Sequence, residues 1–193
     1  GDEVTPKWYM LFNPRQLLVL AELIKYVAER VRELYEEKGE LGIASMLYIA
    51  FALDKLTDYN TLAIVWHKSR AVLTNTLREP TLSFRAEYCE AIPPLKNLEW
   101  ALEPELAEKR KFGKTAGGIL PVLRFLTDQF KENKNENIKV ILGDATKLTK
   151  IIKDETINII NVDPPYYEQV IYSDKAEIFW NILRKSLAPV LPT

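Results

Sequence analysis

Residues 157–162 read Ile-Asn-Ile-Ile-Asn-Val, and Asp163-Pro164-Pro165-Tyr166 follow at once. A near-continuous apolar run of this length suits a buried strand of a parallel sheet. The two prolines lack an N–H and fix φ, so they end the sheet ladder and stiffen the turn. A carboxylate, two carbonyls and an aromatic ring then sit at the carboxyl end of a strand, the usual ligand-binding side of an α/β sheet.

A second strand is expected one element earlier. Lys139-Val140-Ile141-Leu142 reads as a strand, Gly143-Asp144-Ala145-Thr146 as a turn, and Lys147 to Lys153 as a short helix. A last helix opens at Tyr172 or Ser173 and runs to about Leu187. Strand, helix, strand, helix is part of a βαβα layer. Two strands do not complete a sheet. The rest must come from sequence beyond this chain, from a partner chain, or from strands hidden in its middle.

The N-terminal part has a different pattern. Asn13-Pro14 is a helix start, and Leu17, Leu20, Ile24, Val27, Val31 and Leu34 recur at helical spacing until Gly39. Leu41 to Leu56 is apolar on nearly all sides, as the central helix of a bundle would be. A third helix is expected from Asn60 to about Leu77, and another, amphipathic, from Ile119 to Phe130. Between Glu79 and Thr115, four prolines and the cluster Lys109, Arg110, Lys111 and Lys114 read as irregular structure, either a solvated loop or a phosphate-contacting one. The expected organisation is a helical bundle region at 1–78, an irregular segment with a connecting helix at 79–137, and a partial α/β core at 138–193.

Composition limits the partners. The formal net charge is -1, so a nucleic-acid ligand would need a local basic patch or a second chain. One cysteine, Cys89, excludes an internal disulfide framework and a cysteine-based zinc site, and favours a reducing, cytoplasmic setting. The longest apolar run, Leu41 to Leu53, is short for a membrane span. His67 has no second histidine beside it and reads as structural. Cys89 lacks an evident activator and reads as a buried structural thiol. Glu36 and Glu37 read as a solvated helix end.

The Asp163 turn suggests chemistry on an exocyclic base amine. Such an amine is a poor nucleophile because its lone pair is delocalised into the ring. Two acceptors, Asp163 and the Pro164 carbonyl, could polarise it. Tyr166 could stack on the base, worth on the order of 1–3 kcal/mol. The base would have to leave its helix first.

Asp163-Pro164-Pro165-Tyr166 resembles the catalytic tetrapeptide of S-adenosylmethionine-dependent amino-methyltransferases acting on adenine N6 or cytosine N4. Phe12 to Leu18, Ala52 to Asn60, and Asp163 to Tyr172 together resemble the later part of a prokaryotic, often archaeal, family of large adenine-specific DNA methylases. The resemblance implies a mainly helical N-terminal region joined to part of a Rossmann-like class I methyltransferase sheet. It implies that Asp163, Pro164, Pro165 and Tyr166 are catalytic and that Asp144 lies near the cofactor, S-adenosylmethionine. Tyr167 and Tyr172 would line the target pocket, with packing an equal alternative. Arg15 would take a substrate role, or with Gln16 a capping or interhelix one.

The glycine loop that wraps the cofactor in such enzymes is missing here. The chain is therefore expected to be a fragment or a split subunit that binds cofactor weakly and is inactive alone, with DNA favoured over RNA as the partner of the complete enzyme. Two alternatives stand beside this reading: an RNA or transfer-RNA guanine N2 methyltransferase, and a non-catalytic helical interaction or scaffold domain. A bare proline-stiffened turn would also account for the tetrapeptide.

Overall fold

The computed structural model describes residues 7–69, 71–78, 88–90, 94–102, 118–130, 139–141, 143–153, 156–164, 166 and 172–191. After a short 3-10 turn at Trp8–Leu11, helix α1 spans Pro14–Lys38. Its start is fixed by a reciprocal cap. Asn13 Oδ1 accepts from Gln16 N at 2.8 Å, and Gln16 Oε1 accepts from Asn13 N at 2.9 Å. Pro14 fills the first position, where a missing N–H costs nothing. The helix stops at Gly39, whose φ of 58° and ψ of -135° suit only glycine well.

Gly39 also begins α2, Glu40–Asp58, so one residue turns the chain between two long helices. The start of α1 meets the end of α2, where Gln16 Nε2 donates to Asn60 Oδ1 at 3.4 Å, and the pair lies antiparallel. Near the turn the backbones almost touch. A Cβ on Gly42 would collide with the Leu34 carbonyl.

The third layer comes from the far end of the chain. Helix α5, Tyr172–Leu187, places Ile178, Ile182, Ser186 and Leu187 on one buried face at helical spacing. Val27 and Val31 of α1, Met46 and Leu53 of α2, and Ile182 and Leu187 of α5 form a single core cluster. Helix α3, Pro94–Leu102, packs on α2, with Trp100 edge-on to Tyr59 at 4.9 Å and beneath the Lys55 ammonium at 4.1 Å. Helix α4, Ile119–Phe130, makes a lighter contact with α2 and α3.

The expected helix from Asn60 to Leu77 does not form. A small antiparallel pair takes its place, β1 Trp66–His67 against β2 Val72–Leu73, with Trp66 opposite Leu73. Ile64, Val65, Val72 and Thr74 favour extended backbone. Threonine hydroxyls then fasten the loop. Thr61 and Thr76 share a 2.8 Å hydrogen bond, and Thr76 Oγ1 donates to the Asp58 carbonyl at 2.8 Å. Helix α3 was missed because Pro94 reads as a breaker, whereas it occupies the first turn.

The α/β expectation fails. The described residues form an all-helical bundle, with β1 and β2 its only strands, and no Rossmann-like sheet is present among them. Neither 139–141 nor 157–162 is a strand. The physical reason is that the described residues offer these runs nothing to pair with. Strand preference is mostly a preference for cross-strand and facing neighbours. Here Val140 is 93% exposed and Ile159 is 85% exposed.

Candidate functional site

The residues expected to carry chemistry are placed as follows, so far as they lie among the described residues. Asp163 and Pro164 lie exposed in a stretch without regular structure, and Tyr166 beyond them is 63% exposed. Pro165 and Tyr167 fall outside the described residues, as does the basic cluster from Lys109 to Lys114. Tyr172 is the exposed first residue of α5.

Asp144 is committed locally. It caps a short 3-10 helix, Ala145–Lys150, accepting from Thr146 N at 2.9 Å and from Thr146 Oγ1 at 2.7 Å. Its other oxygen pairs with Lys147 Nζ at 2.9 Å. The Lys147 and Thr146 hydrogen bonds hold this carboxyl below the usual range. Both oxygens serve the turn, and a Cβ on the neighbouring Gly143 would strike Ile151. This arrangement does not fit an S-adenosylmethionine pocket, and the expectation of that cofactor is withdrawn with the sheet that was to hold it.

Arg15 has a structural partner. Its guanidinium donates to Glu90 Oε2 at 2.7 Å, while Asn13 Nδ2 donates to the Tyr88 hydroxyl at 3.1 Å. These bonds tie residues 88–90 to the first turn of α1. Cys89 joins through its backbone, with its N–H donating to the Ile64 carbonyl at 3.2 Å, and its side chain is half-buried. Gln16 is spent on the α1 cap and on Asn60. His67 shares a 3.2 Å hydrogen bond with Ser69 on the hairpin.

Two half-buried charged groups also act as fasteners. Asp58 Oδ1 accepts from Leu77 N at 3.0 Å, and Lys175 Nζ donates to the Leu77 carbonyl at 3.2 Å. One carboxylate and one ammonium thus hold the two backbone groups of Leu77, from α2 and α5. Burial pushes the Asp58 carboxyl up, against the pull of those hydrogen bonds and of Lys175. Asp54 has a buried oxygen with no hydrogen-bond partner, and desolvation pushes its carboxyl up to about 7. A small cavity between Phe12, Gln16, Val19, Leu56, Thr57 and Asn60 holds about 10 Å³, room for one water at most.

No group of three or more His, Cys, Asp or Glu side chains among the described residues is placed to hold a metal. No helix among them is long and apolar enough to cross a membrane.

What the surface does offer is apolar area. Helix α4 buries none of its residues and exposes Val122, Phe125, Leu126 and Phe130. Ile157, Ile159, Ile160 and Val162 are exposed as well. Sequence reasoning missed this because it assigned these four residues to a sheet interior.

The class defined by the described residues is the α-helical bundle. No protein-family profile, curated protein or solved structure matches the chain. The likeness to adenine-specific DNA methylases is therefore one of short motifs, and the helical fold of the described residues, with β1 and β2 their only strands, is incompatible with membership of that Rossmann-type family.

Proposed function

We propose that this chain is a non-catalytic helical interaction or scaffold module. The observation that carries the reading is a closed α1–α2–α5 core that leaves the apolar residues of α4 and of 157–162 outside it. Exposed apolar groups clustered on one helix and along one run ordinarily mark a contact with another molecule. The hydrogen-bonding side chains at the bundle end hold loops in place, as a scaffold requires. A reducing, cytoplasmic setting accords with the single cysteine.

The enzymatic reading is corrected along with the fold. Methyl transfer needs a cofactor cradle and a pocket for the base, and the described residues supply neither architecture. Calorimetric titration with S-adenosylmethionine, alongside a methyl-transfer assay on duplex DNA and on transfer RNA, tests the scaffold reading. The expected result is no heat of binding and no transfer. Saturable cofactor binding with turnover would overturn it.

A further inference from the structure

Between Asp58 and Glu79 the sequence has no acid, yet it carries Lys68, Arg70 and Arg78. In a chain of net charge -1 this is a local excess of positive charge, of the kind that draws an anionic partner. The hairpin stands in the middle of that stretch, with β1 and β2 joined by a short turn. Lys68 and Ser69 are exposed in the turn, and Lys68 has no ion pair among the described residues. Trp66, two residues before Lys68, is 50% exposed.

The hairpin is held firmly at its base. Thr74 N donates to the Val65 carbonyl at 3.0 Å, and Val65 N donates to Thr74 Oγ1 at 3.2 Å. The Thr61–Thr76 hydrogen bond and the bond from Thr76 Oγ1 to the Asp58 carbonyl then tie this base to the end of α2. A surface mounted in this way meets a ligand with little ordering left to do.

An exposed indole and a cation two residues apart select a ligand that has a flat ring close to a negative charge. A nucleotide of an unpaired strand is such a ligand, since its base can stack on the indole while its phosphate meets the ammonium. In a duplex the base faces are covered by their neighbours, and Trp66 would have nothing to stack on. A membrane fits less well. Lys68 and Ser69 lie in the turn, so the polar end of the hairpin would reach the bilayer before Trp66 did. An acidic protein segment would answer the charge and leave the ring unused.

We propose that the hairpin is a contact point for single-stranded nucleic acid, with Trp66 as the stacking platform and Lys68 as the phosphate contact. This surface is separate from α4 and from 157–162, so the inference goes beyond the apolar contacts that carry the interaction-module reading.

The test is fluorescence anisotropy of a labelled oligothymidylate with the full chain, repeated over a range of salt. The oligonucleotide should bind, and more weakly as salt rises. Lys68→Ala should reduce the slope of log affinity against log salt by about 0.7, the share of one phosphate contact on a single strand. Trp66→Ala should weaken binding by about tenfold with the slope unchanged, and Trp66→Phe should keep most of the affinity. Melting midpoints like that of the parent chain show that the variants are folded, and the Lys68 result stands without the Trp66 ones. No binding of the oligonucleotide, a slope unmoved by Lys68→Ala, or undiminished binding by Trp66→Ala would overturn the proposal. So would equal or tighter binding of the matching duplex. Binding to phosphatidylserine vesicles without binding to the oligonucleotide would make the partner a membrane and overturn it as well. Failure of the module reading shows separately, as cofactor binding and turnover.

Discussion

Replacing Gly42 with alanine tests whether the α1–α2 crossing is set by backbone contact. The added Cβ would run into the Leu34 carbonyl oxygen and lie 3.0 Å from Tyr35 N. A side chain in that position could rotate away, but a helix backbone moves only as a body. Overpacking of this kind costs about 1–3 kcal/mol. Alanine is the better helix former and returns about 1 kcal/mol at most. Because the obstacle is a rigid backbone carbonyl, the cost should lie in the upper half of that range, about 2–3 kcal/mol, leaving a net loss of about 1–2 kcal/mol. For a chain of this size each 1 kcal/mol moves the melting midpoint by about 2–4 °C. The midpoint, followed by far-ultraviolet circular dichroism, should therefore fall by about 2–8 °C. A midpoint that stays put or rises would mean that the helices do not meet through their backbones, and that propensity alone decides the outcome.

Gly39→Ala should also destabilise, by about 1–3 kcal/mol in chemical denaturation, but through strain at a φ of 58°, since nothing lies within 4 Å of its Cβ position. Leu53→Ala, at a fully buried core position, should cost about 2–5 kcal/mol. Asp54 has its folded-state pKa raised by burial to about 7 from 3.8, so its contribution to stability is fullest below 3.8, declines across that interval, and is lowest above it. Asp54→Asn should flatten that part of the stability–pH curve and raise stability at neutral pH; an unchanged slope would show that Asp54 is solvated. Asp163→Ala, on an exposed residue outside the core, should shift stability by no more than about 0.5 kcal/mol, and a large loss would reveal a hidden structural role.

Sequence and structure agree where local chemistry decides. Asn13-Pro14 and Gly39 bracket α1 in both, and the apolar repeats of α2, α4 and α5 recover those helices nearly to the residue. They part where a partner decides. A strand-like run is an incomplete statement, because its stability lies in neighbours that the run does not contain. Residues 157–162 show this directly, with strand composition and no strand. The segment after Asn60 shows the reverse: helical spacing gave way to β-branched residues held by the Thr61–Thr76 hydrogen bond, a contact no local pattern announces. Arg15 belongs to the same class, since nothing near it in sequence points to Glu90. The Asp163 motif was legible as composition, but a pocket is made by several elements converging, and only one of them was visible.

The core joins α1 and α2 to α5 across everything from Tyr59 to Ile171. In chain terms that whole stretch is an excursion from a three-helix unit that closes behind it. Loop closure grows only logarithmically with length, at about 0.6 kcal/mol for each doubling. Added length within that stretch should therefore cost the closing of α5 onto α1 and α2 little, whereas Thr61, Ile64, Thr76 and Ala101, which are buried, are held in place. A cut at the exposed residues 139–141 should yield two pieces that still hold together through Val31, Leu53 and Ile182, so that this bundle behaves as a clasp.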